Sequence, residues 1–306
     1  ILIEGGKIVE VGSARRLDNL KDAATARVLD ARHLVIVPGL LDAAHDLLPL
    51  AAEDESERPP SAASETPPEP PLDPPFYGAH TLHTLVRGLE RELGKLGWAG
   101  TAFTQFRLRF PRQPGLQSRL LRNLLQLDVP TNSFRAELHF HRLPDLEAGS
   151  RLPYWQQLSA AAKGYWKRLE SSLAVSVHAA ALRHLSIQDR LHALRQLGDG
   201  LPCFLTSPEA LDPEALLGTC GGSNCAVIGS PPERVENREA AARLDIPWIV
   251  PGGEAGLASG HPGHMLRGAI DSGMRLALSS GYDVNRPGCV SPFALASRLR
   301  QEANLE

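Results

Sequence analysis

The sequence has no run approaching the ~18 consecutive apolar residues of a membrane span, and its first residues lack the charged-then-apolar order of a secretory signal. The expectation is a soluble, cytoplasmic protein with no membrane partner. An excess of one charge is also missing, since 32 basic residues face 35 acidic ones for a formal net charge of -3. That balance supplies neither a basic face for nucleic acid nor an acidic tail. Cysteine is scarce. Cys203, Cys220, Cys225 and Cys289 are too few and too scattered for a disulfide framework in 306 residues. Cys220 and Cys225 bracket Gly-Gly-Ser-Asn, but no second pair completes the four ligands of a structural zinc site. They read as ordinary thiols near a strand.

Proline, by contrast, is concentrated. The stretch from Ala51 to Pro75, AAEDESERPPSAASETPPEPPLDPP, holds eight prolines, several acids and almost no large apolar residue. It cannot bury enough surface to offset the entropy of ordering, and the expectation is a disordered loop. After it, short apolar runs alternate with helical patterns. Candidate strands fall at 34–38, 100–105, 134–141, 173–179, 201–206, 224–230, 246–251 and 275–280. Between them lie segments with apolar residues three and four apart, such as LQSRLLRNLLQL and IQDRLHALRQL. Nearly continuous apolar runs such as LAVSV fit a parallel sheet buried on both faces. Eight strand-helix repeats predict an α/β chain folded as a (β/α)8 TIM barrel. Long insertions are tolerated in the loops of such a barrel, which suits the proline-rich stretch.

Residues 34–46, LVIVPGLLDAAHD, follow a glycine hairpin, ILIEGGKIVEVG, at residues 1–12. Together they resemble the opening of the amidohydrolase superfamily, where PGxxDxHxH ends the first barrel strand and its two histidines hold a catalytic metal. Four further segments are similar to the aminohydrolase branch, which includes guanine and cytosine deaminases, triazine chlorohydrolases and, nearby, imidazolonepropionase. They are LGKLGWAGTAFTQF at 93–106, LPCFLTSPEALDPEAL at 201–216, PGGEAGLASG at 251–260 and DSGMRLALSSGYD at 271–283. The resemblance implies a partial β-sandwich over residues 1–33, a barrel over 34–306, and a divalent metal (zinc, iron or manganese) if the chain is active. It also implies a small-molecule ligand and leaves a homo-oligomer open, since many members of the family are dimers or larger.

Carried over position by position, the first-strand histidines become Ala44 and Asp46, with His45 between them. The strand-five histidine becomes Thr206, strand six offers only Ile228, Gly229 and Ser230, and the strand-eight aspartate becomes Gly281. Glu209 alone keeps its catalytic type, that of a proton shuttle. One carboxylate, Asp46, cannot supply the three or more protein ligands of a catalytic zinc site. Replacement ligands are conceivable. His139 and His141 lie two apart on a strand and so project to one side, with His178 near the end of the next strand, and together with Asp46 they form a candidate metal set. The alternative is that they are ordinary strand residues. His80 and His83 read as a solvated helical pair, whereas His261 and His264, in the loop after strand seven, are placed to touch a ligand or to cap the loop. Asp283 replaces the lost aspartate only if the strand bulges. Ser207 and Cys203 have no base adjacent in sequence, and the glycines of GGEAGLASG lack the Gly-Lys-Ser of a phosphate loop.

The reading is an amidohydrolase-superfamily protein, by ancestry a metal-dependent hydrolase of non-peptide C–N bonds in small molecules, with lost or strongly altered catalysis. The alternatives are an active hydrolase or deaminase with a relocated metal, in which Glu209 moves the proton, and a non-catalytic barrel that binds a ligand or partner. His141 and His261 are the expected ligand contacts.

Overall fold

The structure, a computed structural model, describes residues 1–5, 7–17, 19, 25–28, 40–45, 89–91, 93–97, 101–111, 113–128, 134–144, 154–158, 160–223, 225–252, 262–281, 297 and 300. The expected strand at 34–38, the proline-rich stretch, Asp46, His80, His83, His261, Asp283 and Cys289 lie outside the described residues. The chain divides into two compact units, Ile1–Pro38 and Gly39–Glu306.

The first unit holds an antiparallel hairpin of β1 (Leu2–Glu4) and β2 (Lys7–Glu10), in which Ile3 pairs with Ile8 and Glu4 with Lys7. Gly5 takes a φ of 55°, which a turn this tight requires and a side chain disfavours. A short helix, α1 (Ala14–Leu17), follows, and its Arg16 pairs with Glu10 at 2.8 Å.

The second unit is an eight-stranded parallel sheet whose strands lie in chain order. They are β3 (Leu40–His45), β4 (Thr101–Arg109), β5 (Phe134–Phe140), β6 (Leu173–His178), β7 (Cys203–Thr206), β8 (Ala226–Ile228), β9 (Trp248–Pro251) and β10 (Leu276–Ser279). The first barrel strand thus starts at Leu40, after the Pro-Gly pair. The second runs on to Arg109, past its expected end at 105, because Arg107 and Arg109 continue to pair with Glu137 and His139. The sheet curls into a barrel. Its first and last strands meet where the Ser279 hydroxyl (2.7 Å) and the Ser280 backbone N–H (2.9 Å) both donate to Asp42 Oδ1.

Helices follow the strands as the spacing of apolar residues predicts: α2 (Pro114–Leu124), α3 (Tyr154–Gln157), α4 (Ala160–Leu169), α5 (Ile187–Leu197), α6 (Pro213–Ser223), α7 (Val235–Arg243) and α8 (Pro262–Asp271). Proline opens α2 at a position where its missing N–H costs nothing. Ser186 caps α5 by accepting the Asp189 N–H. One core lies between strands and helices. Phe106, Leu108, Phe134 and Leu138 pack there with Leu120, Leu121 and Leu124 of α2, and burying each such side chain contributes about 1.5–3 kcal/mol. A second, smaller cluster of Ala174, Phe204, Ile228 and Ile249 draws only on strands and fills the barrel axis.

Candidate functional site

Register decides what faces the axis. In parallel strands paired residues point to the same side, and Arg109 pairs with His139, His139 with Ser176, Ser176 with Phe204 and Phe204 with Ala226. Since Phe204 belongs to the axial cluster, this whole layer faces inward. One layer below, Arg107 pairs with Glu137 and Glu137 with Ala174. Near the C-terminal end His178 pairs with Thr206, and Thr206 with Ile228. The inward residues of β4, β5 and β6 are therefore mostly polar, while those of β7, β8 and β9 are mostly apolar.

Glu137 is completely buried and clamped from two sides. Arg107 Nε donates to Oε1 at 2.9 Å and Gln105 Nε2 to Oε2 at 2.8 Å. Above it three imidazoles converge. The ring centre of His139 lies 4.7 Å from that of His141 and 6.3 Å from that of His178, and the last two rings stack at 5.5 Å. His139 Nδ1 meets the Ser176 hydroxyl at 2.8 Å.

Burial shifts all three rings toward the neutral form. Burial lowers the pKa of His139 well below the ordinary value, with Arg107, His141, His178 and Arg109 adding to it. His141 falls to about 4, first through loss of solvent on its packed edge and then through Arg109, His178 and Arg107. Burial also lowers His178, against an upward pull from the carboxylate of Glu209. Glu209 sits exposed on a short 3-10 turn, Pro208–Ala210, directly after β7. That turn begins at Ser207, whose φ of 54° is left-handed and uncommon for a residue with a side chain.

The positions at which the resemblance implies a metal do not fit one. Ala44 and Gly281 offer no ligand atom, and Thr206 presents a buried hydroxyl with no partner among the described residues. The alternative histidine set fits little better. His178 Nδ1 accepts the Ala180 N–H at 3.2 Å, so its proton sits on Nε2, and a ligating imidazole needs the lone pair free on one nitrogen and the proton on the other. Two guanidinium groups, those of Arg107 and Arg109, share the wall. Among the described residues no group of three His, Cys, Asp or Glu side chains is disposed to hold a metal ion.

Reading the sequence alone missed two features. His45 pairs with Phe106 while Ala43 pairs with Gln105, so β3 carries a bulge at Ala44. The extra residue puts His45 on the same side as Asp42, and Nε2 lies 3.3 Å from Asp42 Oδ2 with both side chains fully buried. Burial alone would raise the Asp42 pKa, but hydrogen bonds and charge from His45, with Ser280 and Ser279, more than offset it and leave it below the ordinary value. The other omission is the pair Arg107 and Arg109. Its signal was present, because FRLRF at 106–110 and FRAELHFH at 134–141 both alternate apolar and polar residues with a period of two.

No known family profile matches the chain, and no curated protein matches it in sequence. Among solved structures it is similar to a guanine deaminase from C. acetobutylicum with guanine bound in its active site, at a TM-score of 0.49 and 11% identity over 73% of this chain. It is also similar to an adenine deaminase from Arthrobacter aurescens, at a TM-score of 0.49 and 10% identity over 74% of this chain. An ochratoxinase from A. niger aligns over 88% of this chain at 12% identity and a TM-score of 0.49. The chain spans 56%, 70% and 67% of the lengths of these three proteins.

Proposed function

We propose that the chain is a barrel of the amidohydrolase superfamily that has parted from metal-dependent hydrolysis and binds a small anionic molecule, a carboxylate or a phosphate, at its C-terminal mouth. The observation that carries this reading is the make-up of the β4–β6 wall. Two arginines and three neutral imidazoles stand there, while Ala44, Thr206 and Gly281 occupy the family's ligand positions. A divalent cation placed beside these rings meets the Arg109 charge, since Arg107 is already paired with Glu137. An anion meets the Arg109 guanidinium and imidazole N–H groups. His141 is the ligand contact retained from the sequence reading. Glu209, whose carboxylate acts on the His178 ring at the rim, is proposed as a residue that positions that ring.

A relocated metal centre is the second reading, favoured by the convergence of three rings within 4.7 to 6.3 Å. One pair of measurements separates the two. Elemental analysis of the purified protein is expected to find no stoichiometric metal, and inorganic phosphate or succinate is expected to raise the thermal midpoint of the wild type but not of Arg109→Ala. Zinc, iron or manganese near one equivalent, lost in His141→Ala, would establish the metal centre and sink the anion reading.

A further inference from the structure

On the opposite side of the barrel wall, the thiols that look scattered in sequence come together. Cys203 opens β7 and Cys225 immediately precedes β8, and because Phe204 pairs with Ala226, these two cysteines lie side by side on neighbouring strands. The Cys225 thiol donates to the Cys203 sulfur at 3.6 Å. Cys220, on α6, hydrogen-bonds the same Cys225 thiol, and all three are free. Cys220 and Cys225 are buried, whereas Cys203 is partly exposed.

We propose that Cys203 and Cys225 are a hydroperoxide-sensitive dithiol that closes to a disulfide joining β7 to β8. Adjacent strands run about 4.8 Å apart, inside the Cα separation of about 4.4–6.8 Å that a disulfide spans. Closing the present 3.6 Å gap to a bond of about 2.05 Å needs only a side-chain adjustment. Cys203, the accessible sulfur, attacks the peroxide O–O bond, becoming a sulfenic acid as one oxygen leaves as water. Cys225 then attacks the Cys203 sulfur, the S–O bond breaks, and the hydroxyl leaves as a second water with the Cys225 proton. Two thiols and one hydrogen peroxide give one disulfide and two waters. Cys225 is buried against Cys203 while Cys203 is partly exposed, so peroxide from solvent reaches Cys203 first and Cys225 is placed for the second step. Both cysteines sit at the N-terminal ends of their strands, the barrel face associated with stability rather than chemistry. The cross-link therefore braces the fold without entering the mouth.

The test treats the native full chain with hydrogen peroxide, blocks remaining thiols in denaturant and maps peptides by mass spectrometry without reduction. The expected result is loss of two of the four alkylatable thiols, a linked peptide pair carrying Cys203 and Cys225, and recovery of both thiols with dithiothreitol. Cys220→Ser should keep the cross-link, and Cys203→Ser should retain all three of its thiols. A link to Cys220 or Cys289 in place of this pair overturns the proposal. So does Cys203 passing to the sulfinic acid with Cys225 still free. The wild-type peptide map decides the matter even if a variant fails to fold.

Discussion

The two halves of the barrel interior are built on different principles. On β7, β8 and β9 the axis is lined by Phe204, Ile228 and Ile249, a small apolar cluster that needs no partners. On β4, β5 and β6 the same layers carry Arg107, Arg109, Glu137, His139 and Ser176. These groups must find hydrogen bonds or reach solvent, because an unsatisfied buried polar group costs about 1–3 kcal/mol. Deep in the wall the requirement is met internally, by the clamp on Glu137. Toward the rim it is met less fully, as the exposed His141 shows. The difference teaches that polarity at depth is consumed by the fold, which leaves the rim as the place for the proposed binding.

Removing a deep polar group should produce the largest effect. Glu137→Ala strands the Gln105 amide and leaves the Arg107 charge without its buried partner, and breaking a buried pair from one side costs roughly 3–5 kcal/mol. Chemical denaturation should register that loss, with the lower end favoured because Arg107 is 23% exposed and can relax toward water. In the apolar half, Phe204→Ala removes a nearly buried ring and should cost about 3 kcal/mol by cavity formation. A Glu137→Ala cost well below that of Phe204→Ala would mean that the polar half is no more tightly specified than the apolar one.

How much of this was legible in the sequence follows from which signals are local. Seven of the eight parallel strands overlap the runs expected from apolar spacing, whereas the first, Leu40–His45, starts beyond its expected run at 34–38. Most helices follow from the same spacing, and α5 at 187–197 coincides with the run IQDRLHALRQL because Ser186 and Gly198 mark its ends. That His139 and His141 project to one side was readable from alternation, whereas the direction of that side follows from strand register. Three further things were not readable. The bulge at Ala44 depends on the register of β3 against β4, which a single strand does not encode, so His45 looked like a residue between ligand positions rather than the partner of Asp42. The role of Asp42 depends on Ser279, 237 residues away. The meeting of Cys203 with Cys225 likewise follows from strand pairing and not from spacing.

Acid sharpens the comparison. The folded pKa values of His139, His141 and His178 lie below the unfolded value of about 6.5. Between the folded and unfolded values the unfolded chain binds more protons, so stability rises with pH there. This stabilisation is complete above about pH 6.5 and is lost as pH falls toward about 4, the value for His141. Asp42, with a lowered pKa, adds a loss only below the ordinary carboxylate range. The thermal midpoint should therefore begin to fall below about pH 6.5, earlier than carboxylate protonation requires. His139→Asn, if folded, should flatten that fall, and a midpoint constant down to about pH 5 would contradict the neutral three-ring arrangement.

The smallest expected effect is the most telling. His141 lies at the rim and is exposed, with its ring against His139 and His178. His141→Ala removes no buried hydrogen bond and should change stability by no more than about 0.5 kcal/mol. If the rim serves only the fold, nothing else should change. If it receives an anion, the same variant should lose part of the phosphate- or succinate-induced rise in thermal midpoint, because one N–H donor at the mouth is gone while the Arg107–Glu137–Gln105 clamp beneath is untouched. Equal rises in wild type and His141→Ala would move the ligand contact away from His141, to Arg109. A stability loss as large as that of Glu137→Ala would erase the distinction between depth and rim on which the binding assignment rests.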